Sequence, residues 1–171
     1  MTSRPSRVSA LRLAMVFVLT SALMTACGFR PRGSIDLPAD FHNVYVQAPT
    51  EISDELAIFL DSGGATVVDS PGEADASIKV QNENYDRRVV AVNATTGKAR
   101  EFELLYTVNF SVRMKDGTML MPSEQVVVRR VFVFDPDAVI GATQNVAALQ
   151  RDMRRDAAQR IVRITEATLG K

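Results

Sequence analysis

Apolar and polar residues change their spacing several times along this 171-residue chain, and each change predicts a different element. Leu13 to Leu19 is an uninterrupted apolar run that Thr20 to Met24 continues more weakly. No polar face divides it, so it fits poorly as an amphipathic helix of a folded domain. Residues 28–43 (GFRPRGSIDLPADFHN) show no sustained period and read as an extended tether. Val44 to Val46 is a short strand stopped by Pro49. Over roughly 51–61, Ile52, Leu56, Phe59 and Leu60 recur at helical spacing. Thr50 is placed to cap that helix, Glu51 suits its dipole, and Gly63-Gly64 supplies a left-handed stop. Ala65 to Val68 is a second short strand, ended by Ser70-Pro71-Gly72.

The middle of the chain is β. Ala76 to Asn82 and Arg87 to Val92 form one long strand with an irregularity expected at Asn84, followed by a turn over 93–98. Phe102, Leu104, Tyr106, Val108, Phe110, Val112 and Met114 then alternate strictly with Glu103, Leu105, Thr107, Asn109, Ser111 and Arg113. That period of two gives a strand with one face on a core and the other polar. Lys115-Asp116-Gly117-Thr118 is a hairpin turn. The next strand runs from about Gln125 to Phe134, with Pro122 delaying its start and Asp135-Pro136-Asp137 breaking it. Val146, Leu149, Met153, Ala157, Ile161 and Ile164 recur at three and four, opposite Arg151, Arg154, Arg155, Arg160 and Arg163, which predicts a long amphipathic helix. The order β-α-β-β-β-β-α predicts an α+β fold. It is a two-layer sandwich whose largely antiparallel four- to five-stranded sheet carries two helices on one face.

Composition changes the picture at the N-terminus. Twenty basic residues balance 20 acidic ones, which argues against a nucleic-acid-binding protein. Yet Arg4, Arg7 and Arg12 precede the apolar run with no acid among them, the pattern of a secretory signal. Thr25-Ala26 directly before Cys27 resembles the lipobox of bacterial lipoproteins, in which the cysteine is diacylated and becomes the new N-terminus. The expected organisation is a signal peptide over 1–26, a lipidated tether over 27–43 and one domain over 44–171. Without 1–26, 17 basic residues stand against 20 acidic ones, a charge of −3 on 145 residues. The resemblance implies N-acyl and S-diacylglycerol groups on Cys27 and no other cofactor. Gly28, where an aspartate often signals inner-membrane retention, favours the outer membrane.

Catalytic chemistry finds few residues. His42 is the only histidine and Cys27 the only cysteine, so neither a Ser/His/Asp nor a Cys/His constellation is expected, nor a Cys/His zinc site. No catalytic or metal-binding residue is assigned, and the chain is not read as an enzyme. The remaining candidates are cations. Arg87, Arg88, Lys98 and Arg100 could bind anionic phosphates by charge-assisted bonds, or simply keep strand edges solvated. If 87–92 pairs with 100–105, the two arginines lie away from the turn that carries Lys98, and the four need not form one patch.

The segment CGFRPRG after the lipobox resembles the mature start of the LptE family, the lipopolysaccharide-assembly lipoproteins of the Gram-negative outer membrane. LAIFLDSGGATVVDSPGEADASIKV resembles that family's first helix, glycine stop, short strand and entry to the second long strand. EFELLYTVNFSVRMKDGTML resembles its central strand and hairpin, and RRVFVFDPDAVIGATQNVAALQRDMRRDAAQRIVRI its last strand and closing helix. The resemblance implies a non-enzymatic plug within the LptD β-barrel translocon that assists barrel assembly and binds lipopolysaccharide on its way to the outer leaflet. It therefore implies a lipid anchor facing the periplasm and a domain within the barrel lumen. The polar strand faces and the arginine-rich helix face would suit a water-filled lumen. The alternative is a lipid-anchored auxiliary binding domain of another lipid-trafficking ABC transport system.

Overall fold

The computed structural model describes residues 35, 37–134 and 139–170. A 3-10 turn (Ala39–Phe41) leads into β1 (Asn43–Gln47), α1 (Thr50–Ser62) and β2 (Thr66–Val68). Three long strands follow, β3 (Ala76–Val92), β4 (Ala99–Met114) and β5 (Met119–Val133), and α2 (Val139–Leu169) comes last. The five strands make one sheet in the order β2-β1-β3-β4-β5. β3, β4 and β5 are antiparallel neighbours, as the alternating pattern predicted. β1 differs, running parallel to both β2 and β3. Parallel neighbours need a crossover between them, and α1 supplies it for β1 and β2.

Alternation decides the core. Ile78 from β3 and Tyr106, Val108, Phe110 and Val112 from β4 are fully buried with Val44 against Ile52, Leu56 and Leu60 of α1 and Met153, Ala157 and Ile161 of α2. Both helices thus share one cluster on one face of the sheet, the two-layer arrangement expected. Ile35 and Phe41, in the segment read as tether, are buried in the same cluster, so packing starts ahead of β1.

Three local expectations need correction. Thr50 is the first residue of α1 rather than its cap; Pro49 holds the cap position, and no side chain bonds there. Pro49 keeps an extended backbone there (φ −54°, ψ 146°), and its carbonyl accepts the first helical bond from the Ser53 amide at 2.9 Å. The irregularities of β3 fall between Val80 and Asn82 and again between Val89 and Ala91 and between Ala91 and Val92, none at Asn84. Pro122 lies inside β5, where the register slips between the pairs Phe110–Glu124 and Val112–Met121. A strand tolerates proline where it is an edge strand or at a bulge, and β5 offers both. The glycine stop holds: Gly64 has φ +86°, and the Ala65 amide reaches back to the Leu60 carbonyl at 2.9 Å. The predicted break over 135–137 lies outside the described residues.

α2 runs back along β5, tied by polar contacts. The Arg130 guanidinium pairs with Asp156, and Arg160 donates to the Val127 carbonyl at 3.1 Å. Arg154 donates to the Tyr85 hydroxyl at 3.2 Å and pairs with Glu51 of α1 at 2.7 Å. Tyr85 stacks on its cross-strand partner Tyr106, with ring centroids 4.3 Å apart, and donates to the Gln150 carbonyl at 3.3 Å. The Tyr106 hydroxyl is buried without a hydrogen bond. Such an orphan costs roughly 1–3 kcal/mol in desolvation, so Tyr106→Phe should raise stability by about 1 kcal/mol at pH 7. Urea unfolding reads this directly; a loss of stability would mean that the hydroxyl is bonded after all.

Burial pushes both phenols above their ordinary pKa, with the Glu83 carboxylate adding to the shift at Tyr106. Each is harder to ionise folded than unfolded. Their contribution is therefore complete below the unfolded value near pH ~10, and is lost as pH rises from there towards the folded values. Alkaline unfolding followed by circular dichroism should start above pH ~10 in the wild type and at higher pH in Tyr106→Phe.

Candidate functional site

β1 pairs only with Ala76–Lys79 of β3, so the far half of the sheet is a three-stranded ribbon of β3, β4 and β5. That ribbon ends in the Asn93–Lys98 turn. The Asn93 carboxamide accepts from the Thr95 and Thr96 amides at 2.9 and 3.0 Å, and Gly97 takes φ +68° to let the chain reverse. The Asn93 amide donates to the Lys98 carbonyl at 2.8 Å, and the Phe134 amide to the Arg100 carbonyl at 2.8 Å. A built turn therefore fixes the backbone that carries Lys98 and Arg100.

These two cations line an open cleft of about 450 Å³ together with Asn93, Thr96, Ala99, Val133 and Phe134. No carboxylate lines it, and neither cation has an ion-pair partner among the described residues. The other pair of predicted cations is elsewhere. Arg87 faces the helix side opposite Leu104, with its guanidinium carbon 4.9 Å from the centre of the Phe102 ring. Arg88 faces the other side opposite Glu103 and pairs with Asp86 at 3.6 Å. Both sit about 13 Å or more along β3 from the turn, by strand rise. The four cations thus do not converge: Lys98 and Arg100 share a cleft, while Arg87 and Arg88 point to opposite faces.

Apolar residues complete the site. Val89, Val90, Val92, Val131 and Val133 are each at least half exposed, five of the eight exposed large apolar side chains among the described residues. All five lie at this end of the ribbon. Phe102 stacks with Phe132 at 5.5 Å and meets Phe134 edge-on at 5.8 Å. Valines on both faces, an aromatic cluster and two cations without an ion-pair partner among the described residues make an amphipathic tip, the kind of surface that a ligand or partner can cover. The signal was present in the sequence as Val89-Val90-Ala91-Val92 and Val131-Phe132-Val133-Phe134, which are apolar at consecutive rather than alternate positions.

Other candidates fare differently. His42 Nδ1 donates to the Gly64 carbonyl at 2.9 Å, a structural bond at the end of α1. No group of three or more His, Cys, Asp or Glu able to hold a metal occurs among the described residues. No helix among them is long and apolar enough to cross a membrane. Cys27 lies outside the described residues.

Comparison with known proteins bears on this geometry. Residues 39–164 match the sequence model of a family described as LptE, lipopolysaccharide-assembly. The chain is 27% identical over 157 residues to the LPS-assembly lipoprotein LptE of Photorhabdus laumondii, covering 89% of this chain and 84% of that protein. Its fold is similar to the solution structure of lipoprotein B from Nitrosomonas europaea, with a TM-score of 0.68 and 27% identity, covering 82% of this chain and 91% of that one. The crystal structure of rare lipoprotein B from Shewanella oneidensis shares the fold at a TM-score of 0.64 and 20% identity, covering 74% and 96% of the two chains.

Proposed function

Because the chain belongs to the LptE family of lipopolysaccharide-assembly proteins, we propose that it is an outer-membrane lipoprotein anchored through acylated Cys27. In this reading it sits within the lumen of an LptD-like barrel, assists that barrel's assembly, and contacts lipopolysaccharide through the amphipathic tip of its sheet. The observation that carries the reading is the pairing of Lys98 and Arg100 in one cleft beside Val133, Phe134 and the exposed valines. Lipopolysaccharide joins phosphates to acyl chains, so a ligand-contacting surface must offer cations and apolar area together. The open face of the sheet supports the lumen reading. Asn82, Asn84, Thr107, Asn109 and Gln125 occupy adjacent rows there, and Gln125 donates to Asn109 at 3.1 Å. A polar face of that kind suits a water-filled barrel interior.

The test separates the two cation pairs. Lys98→Glu/Arg100→Glu should weaken binding of the full chain to immobilised lipopolysaccharide at least tenfold. Arg88→Glu should change it less than threefold, because Arg88 is already paired on an exposed surface. Arg87→Glu should fall between, since it removes the cation from the Phe102 face. Binding should also weaken with salt, as contacts at an exposed cleft are screened. Unchanged binding after reversal of all four charges would overturn the proposed contact. Co-purification addresses the partner: a one-to-one complex with a large outer-membrane barrel supports the reading, and retention by an inner-membrane transporter supports the alternative.

A further inference from the structure

We propose a second binding site, for a sugar phosphate, on the open face of the sheet at the end remote from the Asn93–Lys98 turn. Strand register builds it. Tyr45, Ser77, Arg113 and Met119 form one row across β1, β3, β4 and β5, and Gln47, Lys79 and Ser111 form the next row across β1, β3 and β4. Two small serines at the centre, ringed by longer side chains and Pro71, leave a cavity of about 420 Å³. That volume lies within the range of small-ligand sites, roughly 300–1,000 Å³.

The charge in this cavity is one-sided. Lys79 pairs in register with Ser111, which puts Arg113 on the adjacent diagonal, about 7–8 Å away in an antiparallel pair. Neither cation makes an ion pair among the described residues, and no carboxylate lines the cavity. Two like charges on neighbouring positions repel each other, and an anion bound between them attracts both and offsets that repulsion. One nearby acid is engaged elsewhere: Asp75 pairs with Lys115 at 3.8 Å and accepts from the Asn43 amide at 2.9 Å. Arg113 offers a planar fork of donors to a phosphate, and Lys79 a compact charge. The Ser77 and Ser111 hydroxyls, the Tyr45 phenol and the Gln47 carboxamide can each donate and accept, the capacity that sugar hydroxyls require.

About 14 residues of β3 separate Lys79 from Asn93, or about 45 Å by strand rise, so one headgroup cannot occupy this cavity and the tip cleft together. The inference is therefore independent of the role assigned to the tip.

Isothermal titration of the full chain in detergent micelles tests it, with glucose 1-phosphate, inorganic phosphate and glucose as probes. Glucose 1-phosphate should bind saturably and at least tenfold more tightly than either other probe. Lys79→Glu/Arg113→Glu should weaken it at least tenfold, whereas Lys98→Glu/Arg100→Glu should leave it unchanged. Vesicles carrying lipid A, offered to that second variant, distinguish the source. Displacement of glucose 1-phosphate places the sugar phosphate on a lipid; no displacement leaves a soluble sugar phosphate. Equal affinity for inorganic phosphate would overturn the sugar assignment. No saturable binding, or binding unaffected by Lys79→Glu/Arg113→Glu, would overturn the site.

Discussion

Cys27→Ala, exported behind a signal whose cleavage does not need the cysteine, should lose all incorporation of radioactive fatty acid, and every copy not held by a barrel partner should move from the membrane to the soluble periplasmic fraction. The effect is expected to be all-or-none because of how acyl anchoring scales. Each buried methylene contributes about 0.8 kcal/mol, and a single myristoyl-length chain gives an association constant of only about 10⁴ M⁻¹. Two or three chains on one residue make a stable anchor, and removing their attachment point removes all of them at once. Nothing else among the described residues replaces the anchor by a helical span, since no helix there is long and apolar enough to cross a bilayer. The fold should survive, because the described residues from Ile35 onwards form a buried core of their own. Label persisting in the variant, or a wild-type chain that carries none, would end the lipoprotein reading of Cys27.

Much of the fold could be read from spacing alone, and what escaped has physical reasons. β4 was legible because it is a central strand with a full core on one face, so its apolar residues fall at every second position from Phe102 to Met114. The helix positions Ile52, Leu56, Met153, Ala157 and Ile161 were legible for the same reason at the helical period. The parallel pairing of β1 was not. A five-residue strand holds too few alternations to carry direction, which is set instead by where α1 returns the chain. The slip at Gln81 was placed wrongly because a bulge shows as two consecutive residues out of phase, and Gln81-Asn82-Glu83-Asn84 is polar throughout. Phase cannot be read where every position is polar.

The candidate site divides along the same line. The cations were visible as residue types, and pairing arithmetic already suggested that Arg87 and Arg88 lie away from Lys98. Which of them would be free was not visible. Arg88 is paired with Asp86, only two residues before it, and Arg87 keeps its charge but lies over Phe102, an aromatic ring on the next strand. The valines were read only as strand residues. Their exposure follows from sheet width: β1 and β2 end early, the ribbon narrows to three strands, and apolar positions that a wider sandwich would cover are left at the tip.

Phe110→Ala should destabilise the domain by about 3–5 kcal/mol, the usual cost of truncating a fully buried aromatic residue. Phe110 has no exposed surface, and it stands mid-strand in β4 between Val80 of β3 and Glu124 of β5, in the core cluster to which both helices contribute. Neither neighbour can collapse into the space, because β4 is held on both sides by long antiparallel ladders. A domain of this kind has only about 5–15 kcal/mol of total stability, so the variant should be visibly less stable in urea by circular dichroism. Ile58→Ala, on the outer side of α1 at 56% exposure, should stay within about 0.5 kcal/mol of wild type. The comparison also gives the binding experiments their meaning. Phe110→Ala lowers any measured lipopolysaccharide binding only in proportion to the unfolded fraction, and low temperature or a stabilising osmolyte should restore it. Lys98→Glu/Arg100→Glu changes exposed side chains at and just beyond a turn held by backbone bonds and by the Asn93 and Thr96 side chains, so its urea midpoint should not move while binding falls. If that pair shifted the urea midpoint as Phe110→Ala does, the tip cations would be structural, and the cleft would lose its claim as a ligand site.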